Sequence, residues 1–318
     1  MSYILKRIFT ALITLFLVSI LCFLVFSVIR GNPAESLGGT YISAEQLAAL
    51  KEEMGLNKNV FVRYADWLSS FLSGNHQKSF FYHGETISSL ITQRLPVSIT
   101  LALLSLIFIL IISFSVSILT VKRQHNTIDN IVNFFTAAGI STPGFFLGLL
   151  FIFIFGFIFK LFSPGLYIDY SENFWGFLGC LFFPALAIAI PNSAMLIKFL
   201  RGSLFNELQS DYVRTARSKG AGRLYILFHH VFKNACLPAL SMLGMIIAEV
   251  FSGSIIIEQV FTIPGTGRLL IAAISSRDYP LIQALIVYIA FLVVLANTLA
   301  DIIIMSIDPR IKNAGKVR

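Results

Sequence analysis

The sequence predicts an all-α, polytopic membrane protein with six transmembrane helices. Hydrophobic residues make up 56% of the chain and charged residues only 13%, with a mean hydropathy of +0.81, too apolar a surface to present to water. Six charge-poor runs reach the roughly 20 residues a helix needs to cross the hydrocarbon. None alternates with the period of a barrel strand, and backbone groups in lipid must be satisfied within their own segment, so helices are the reading for all six.

The runs are 8–29, 95–121, 130–159, 173–197, 234–257 and 279–300, within one transmembrane domain spanning 1–318. The first has Lys6 and Arg7 ahead of it like a signal peptide, but its 22 uncharged residues exceed a signal core of about 7–15, so it reads as a retained span. The extracytoplasmic loop 30–94 carries two short helical patterns. Ser43-Ala44-Glu45-Gln46 forms a capping box ahead of Leu47, Leu50 and Met54, and Gly55 ends the turn. Val60, Tyr64, Trp67 and Phe71 then share one face up to Gly74, a helix expected to lie on the membrane or a neighbouring subunit and to cover the outer mouth of the span bundle rather than bind a partner. Ser141-Thr142-Pro143-Gly144 in span three, and Pro184 and Pro191 in span four, predict kinks.

Orientation follows from Lys and Arg in the short loops. With the N-terminus inside, the inner segments hold fifteen, seven of them in 198–233, while the two short outer loops hold only Lys160, Arg268 and Arg277. Both termini are therefore expected in the cytoplasm. The net charge of +8 is mostly this orientation signal, and no basic and aromatic nucleic-acid motif accompanies it.

The loop 201–233 is a polar device hung between two apolar runs. Arg201 to about Gln209 continues span four as a short amphipathic helix. Asp211 is the expected N-cap of a second helix, which gathers Arg214, Arg217 and Lys219 toward its end and closes at Gly220. Tyr212, Val213 and Ala216 lie between the charges and suit a groove on another protein. The plain alternative is a basic inner loop that only obeys the topology rule.

Asp211-Tyr212-Val213-Arg214-Thr215-Ala216-Arg217-Ser218-Lys219-Gly220, followed by Lys233-Asn234-Ala235-Cys236-Leu237-Pro238, resembles the signature loop of ABC importer permeases in the dipeptide, oligopeptide and nickel branch. Further matches are Gly31-Asn32-Pro33, Met54-Gly55-Leu56-Asn57-Lys58, Glu258 with Phe261, Pro264-Gly265-Thr266-Gly267-Arg268, Arg277-Asp278-Tyr279-Pro280 and Asp308-Pro309-Arg310. The long first outer loop resembles the B-type subunit. The resemblance implies a type I ABC importer permease in a bacterial inner membrane, paired with a second homologous permease, two ATP-binding cassette ATPase subunits and an extracytoplasmic substrate-binding protein. Asp211, Tyr212, Arg214, Thr215, Ala216, Arg217, Lys219 and Gly220 would form the coupling helix at the ATPase interface. Peptides are the expected cargo, with nickel chelates or other solutes as the alternative. One motif departs: the family's Gly-Asp-x-Gly-x-Ser stands here as Gly74-Asn75-His76-Gln77-Lys78-Ser79.

Catalytic chemistry has no foothold in the pattern, so the chain is expected to be a transport subunit with no catalytic residues, cofactor or metal. Pro264-Gly265-Thr266-Gly267-Arg268 lacks the Lys and Ser/Thr of a phosphate loop and reads as an outer turn. Adjacent His229 and His230 diverge by about 100° on a helix and do not share a metal. Cys22, Cys180 and Cys236 read as small hydrophobes in or at spans. Glu249 is the sharpest single residue: a carboxylate within a span costs roughly 2.5–3.5 kcal/mol and needs a cavity, a partner or water, which makes it a candidate for the translocation path. An ATP-independent channel or secondary transporter is the rival class, and Glu249 would be its only ionisable relay.

Overall fold

The computed structural model describes residues 3–28, 58–73, 78–79, 81–82, 85–122 and 127–307. Their helices are α1 (Tyr3–Val28), α2 (Val60–Leu72), α3 (Ile87–Lys122), α4 (Thr127–Ser141), α5 (Gly144–Phe151), α6 (Phe174–Leu208), α7 (Asp211–Ser218), α8 (Arg223–Ile226), α9 (Phe232–Val260), α10 (Thr266–Ser275) and α11 (Tyr279–Ile307). Among the described residues five helices are long and apolar enough to cross a membrane, or six if the bent pair α4 and α5 is one span. The capping box at 43–46, residues 31–33 and 54–57, Gly74 to Gln77 and residues 308–310 lie outside the described residues. The chain divides into two compact units.

In the first unit, residues 99–263 with the end of α11, α6 is the central element and packs against α4, α5 and α9. Leu181, Ala185, Ile188, Leu196, Leu200 and Leu204 recur at helical spacing along it and are buried. Span three bends where Ser141 to Gly144 predicted a kink: the run 130–159 is two helices that meet at 102°. Pro143 has no N–H to continue α4, and the residue before a proline avoids the helical region, so Thr142 ends the helix. Pro191 does not break α6, which runs through it, but it leaves the Ala187 carbonyl without its helical donor. Gly144 sits against that carbonyl; a Cβ there would stand 3.1 Å from the Ala187 oxygen, which is why α5 begins on a glycine. Beyond Phe151 the helix widens into a π-turn over Ile152–Ile158 and a phenylalanine cluster, with Phe183 stacked on Phe155 at 5.0 Å and on Phe162 at 4.8 Å.

In the second unit, residues 5–98 with 264–295, α2 lies on α1. The aromatic face predicted for 60–74 is real: Tyr64 and Trp67 contact Phe23 at 5.4 and 5.9 Å, and the Tyr64 hydroxyl bonds Ser19 Oγ at 2.8 Å. Val60, predicted on the same face, is exposed. Asn59 caps α2 by accepting from the Phe61 N–H. The turn expected at Pro264 to Arg268 is only partly a turn, because Gly265 is the N-cap of α10, and Thr266 donates from both its N–H and its hydroxyl to Ser98 Oγ of α3.

Candidate functional site

The knuckle after α6 takes its shape from residues the sequence had singled out. α6 runs unbroken to Leu208, as expected, and Gln209 and Ser210 make the turn. The N-cap position of α7 belongs to Ser210 and not to Asp211, which already has helical geometry and occupies the first turn. Its carboxylate is there exposed to the helix dipole and stands 3.6 Å from the Arg214 guanidinium, a surface pair of small energetic weight. At the other end Gly220 has φ +82°, and two bonds close a Schellman turn: the Gly220 N–H donates to the Arg217 carbonyl and the Ala221 N–H to the Ala216 carbonyl.

Two inward side chains seat α7. Val213 is fully buried and Ala216 half-buried, so the expectation that Val213 enters a groove on a partner is overturned; it is a peg into this chain's own core. Tyr212 lies between the flanking helices. Its hydroxyl donates to Glu207 Oε2 of α6 at 2.6 Å and also engages the Asn234 side chain of α9. Burial, followed by the bond to Glu207, pushes the Tyr212 phenol above its ordinary pKa, so it stays a donor. Arg214, Thr215, Arg217 and Lys219 all point outward. What α7 offers another molecule is therefore a cationic and hydroxylic face, not an apolar wedge.

The return limb is held from a third side. Arg223, the first residue of α8, donates to the Val121 carbonyl in the last turn of α3 at 3.2 Å. The chain then passes through a π-turn, Leu227–Val231, into α9. His229 and His230 are exposed there, with Tyr225 stacked on His229 at 4.2 Å. Among the described residues no three His, Cys, Asp or Glu side chains gather to hold a metal.

A polar cluster that the sequence reading missed sits at the root of the knuckle. Arg201 is buried, its guanidinium paired with Asp129 and Asn133 of α4 and laid over the Phe205 ring at 5.8 Å. The signal was present as a charge at one end of each span, but only the antiparallel packing of α4 on α6 reveals the pair. Glu249 belongs to neither cluster. It is exposed halfway along α9, between Met245 and Ser252 on the same outward stripe. In the second unit, Asp278 is buried and accepts from Ser79 Oγ at 2.5 Å, the Phe81 N–H and the Leu281 N–H, so Ser79 of the divergent motif is an internal strut.

Comparison with known sequences fits this architecture. Residues 113–313 match the model of the binding-protein-dependent transport system inner membrane component, and residues 1–102 match its N-terminal companion. The chain belongs to this family. The permease is 34% identical over 310 residues, 98% of its own length and 99% of the other's, to a probable peptide ABC transporter permease protein of Sinorhizobium fredii. It is 33% identical over 313 residues, again 98% and 99%, to an oligopeptide transport system permease protein of Bacillus subtilis. A nickel import system permease protein of Staphylococcus aureus is 31% identical over 309 residues, 96% of this chain and 90% of that one. The permease is thus a multi-pass membrane protein of the peptide and nickel branch of ABC importers, a family of non-catalytic transmembrane subunits that work with ABC transporter partners.

Proposed function

We propose that this permease imports di- and oligopeptides across the bacterial cytoplasmic membrane by alternating access. A second, similar permease completes the path, two ATP-binding cassette subunits engage α7 from the cytoplasm, and an extracytoplasmic binding protein delivers the cargo. Both termini lie in the cytoplasm. The observation that carries the reading is the seating of α7: Val213 and Tyr212 lock it to the helices on either side, while Arg214, Thr215, Arg217 and Lys219 are exposed to a partner. A push on that outward face reaches α6 and α9 through Glu207 and Asn234, and such a linkage transmits energy only if its contacts differ between the two conformations.

Glu249 supports the path reading. It lies sixteen residues beyond Lys233, roughly 24 Å along α9, and a carboxylate at that depth facing lipid carries the insertion cost stated above. The stripe it shares with Ser241, Met245 and Ser252 is therefore assigned to the path or to the second permease. Peptide cargo rests on the names of two relatives; the Staphylococcus relative favours nickel as the second reading.

The experiment is uptake into proteoliposomes holding the full transporter, with labelled peptide or nickel chelate, with and without ATP. Peptide uptake that needs ATP and disappears in Arg214→Glu/Arg217→Glu, together with the ATPase subunits on purification, is the expected result. Uptake of nickel chelate alone moves the assignment to the second reading. Uptake without ATP, or intact in the charge-reversed variant, overturns the coupling role of α7.

A further inference from the structure

A pocket of about 380 Å³ opens between α4 and α6, within the size range of small-ligand sites, roughly 300–1,000 Å³. Each helix gives it one face. Asn133, Thr136, Ala137 and Ile140 are spaced i, i+3, i+4, i+7 on α4, and Lys198, Arg201, Gly202 and Phe205 repeat the spacing on α6.

The pocket gathers its polar groups at one end, with the Phe205 ring among them, and is apolar at the other. Arg201 is more than nine-tenths buried in its wall, and Asp129 and Asn133 take its terminal nitrogens, while its Nε has no partner. Asn133 is thereby oriented with its oxygen on Arg201, leaving its amide N–H₂ as a donor. Lys198 is exposed and makes no ion pair among the described residues. With Asp129 offset by Arg201, Lys198 is the excess positive charge at this end. Toward Pro143 the wall continues as Ala137 and Ile140, flanked by the exposed Phe134 and Phe135.

Depth decides what such a pocket meets. The uncharged run 173–197 of α6 precedes Lys198, about 37 Å at 1.5 Å per residue, enough to cross the hydrocarbon and bring Lys198 to headgroup level. The antiparallel contact of Gly139 with Ala194 directs the apolar end of the pocket toward the bilayer centre. A cation and an amide donor at the headgroup, above an apolar slot aimed into the bilayer, have the polarity profile of one phospholipid. The geometry points to a binding site for a single anionic phospholipid, its phosphodiester on Lys198 and the Asn133 amide, its glycerol and upper acyl chain along Ala137 and Ile140. The bound lipid would brace α4 against the root of the knuckle.

The test uses the purified, delipidated full transporter and counts lipid retained on the permease by native mass spectrometry. Phosphatidylglycerol, phosphatidylcholine and inorganic phosphate are added separately and in competition. One phosphatidylglycerol should be retained in preference to phosphatidylcholine. Lys198→Ala should weaken that retention about fivefold, and Lys198→Arg should restore it. Ala137→Phe, which fills the slot without changing charge, should reduce it as well. Equal retention in Lys198→Ala, or no preference between the two lipids, overturns the proposal. Inorganic phosphate that displaces the lipid while Ala137→Phe has no effect also overturns it, in favour of a free-anion site.

Discussion

The Tyr212 hydroxyl donates to the Glu207 carboxylate across 2.6 Å, joining the outward-facing helix α7 to the end of the longest buried helix of its unit. A charge-assisted bond of this length is among the stronger ones a protein makes, and it ties α7 to α6 beyond the two-residue turn that joins them.

Tyr212→Phe should therefore lower stability by about 1.5 kcal/mol, since it leaves Glu207 without its donor. Glu207→Gln, which keeps an acceptor, should cost less. Thermal unfolding of the purified permease measures both. Equal effects of the two substitutions would mean that packing, not the hydrogen bond, holds α7.

Gly220 tests the backbone alone. Nothing lies within 4 Å of where its Cβ would be, so the φ of +82° is the entire obstacle to a side chain. Gly220→Ala should cost about 1–2 kcal/mol, and Gly220→Asn less, because Asn tolerates the left-handed region. Protease nicking between α7 and α8 should rise in the same order.

Asp129 and Arg201 form a pair in which Arg201 is 8% exposed and Asp129 23%. Asp129→Ala strands the guanidinium and should cost about 2–3 kcal/mol, below the figure for a wholly buried pair because Asp129 keeps some contact with water. The double variant Asp129→Ala/Arg201→Met should recover most of that loss. A double-mutant cycle on thermal stability reads the coupling, and additive effects would deny it.

The loop between α5 and α6 should be sensitive to alkaline pH. Burial, reinforced by the neighbouring Asp169 carboxylate, raises the Tyr167 phenol from 10.0 to about 12. The folded state thus holds this proton more tightly than the unfolded chain. Its contribution is fully present below pH 10 and is lost as pH climbs from 10 to about 12. In a tyrosinate absorbance titration the late-ionising amplitude should fall by one phenol in Tyr167→Phe.

Much of this protein was legible in the chain, for reasons that particular residues display. The positions of α1, α3, α6, α9 and α11 follow from where charge is absent, because a bilayer leaves no other place for such runs. Gly220 as a helix stop and Tyr64, Trp67 and Phe71 as one face are local geometry, readable at a spacing of three or four. Which way a side chain on a short polar helix points was not local. Val213 and Arg214 are neighbours in sequence, yet Val213 is a core peg and Arg214 faces outward, and only the packing of α7 on its flanking helices separates them.

The sequence by itself determined the fold class, the positions of the apolar spans and the place of the knuckle between two of them, since these depend on hydrophobic length and on turn residues that act within a few positions. The tertiary structure alone decided what the chain meets beyond the bend at Pro143, that Val213 is a core peg, and that Arg201 finds Asp129. Each of those outcomes depends on a second helix, whether the Ala187 carbonyl that Gly144 meets or the face of α4 that Arg201 reaches, and no spacing along one strand of sequence encodes the distance to a neighbour.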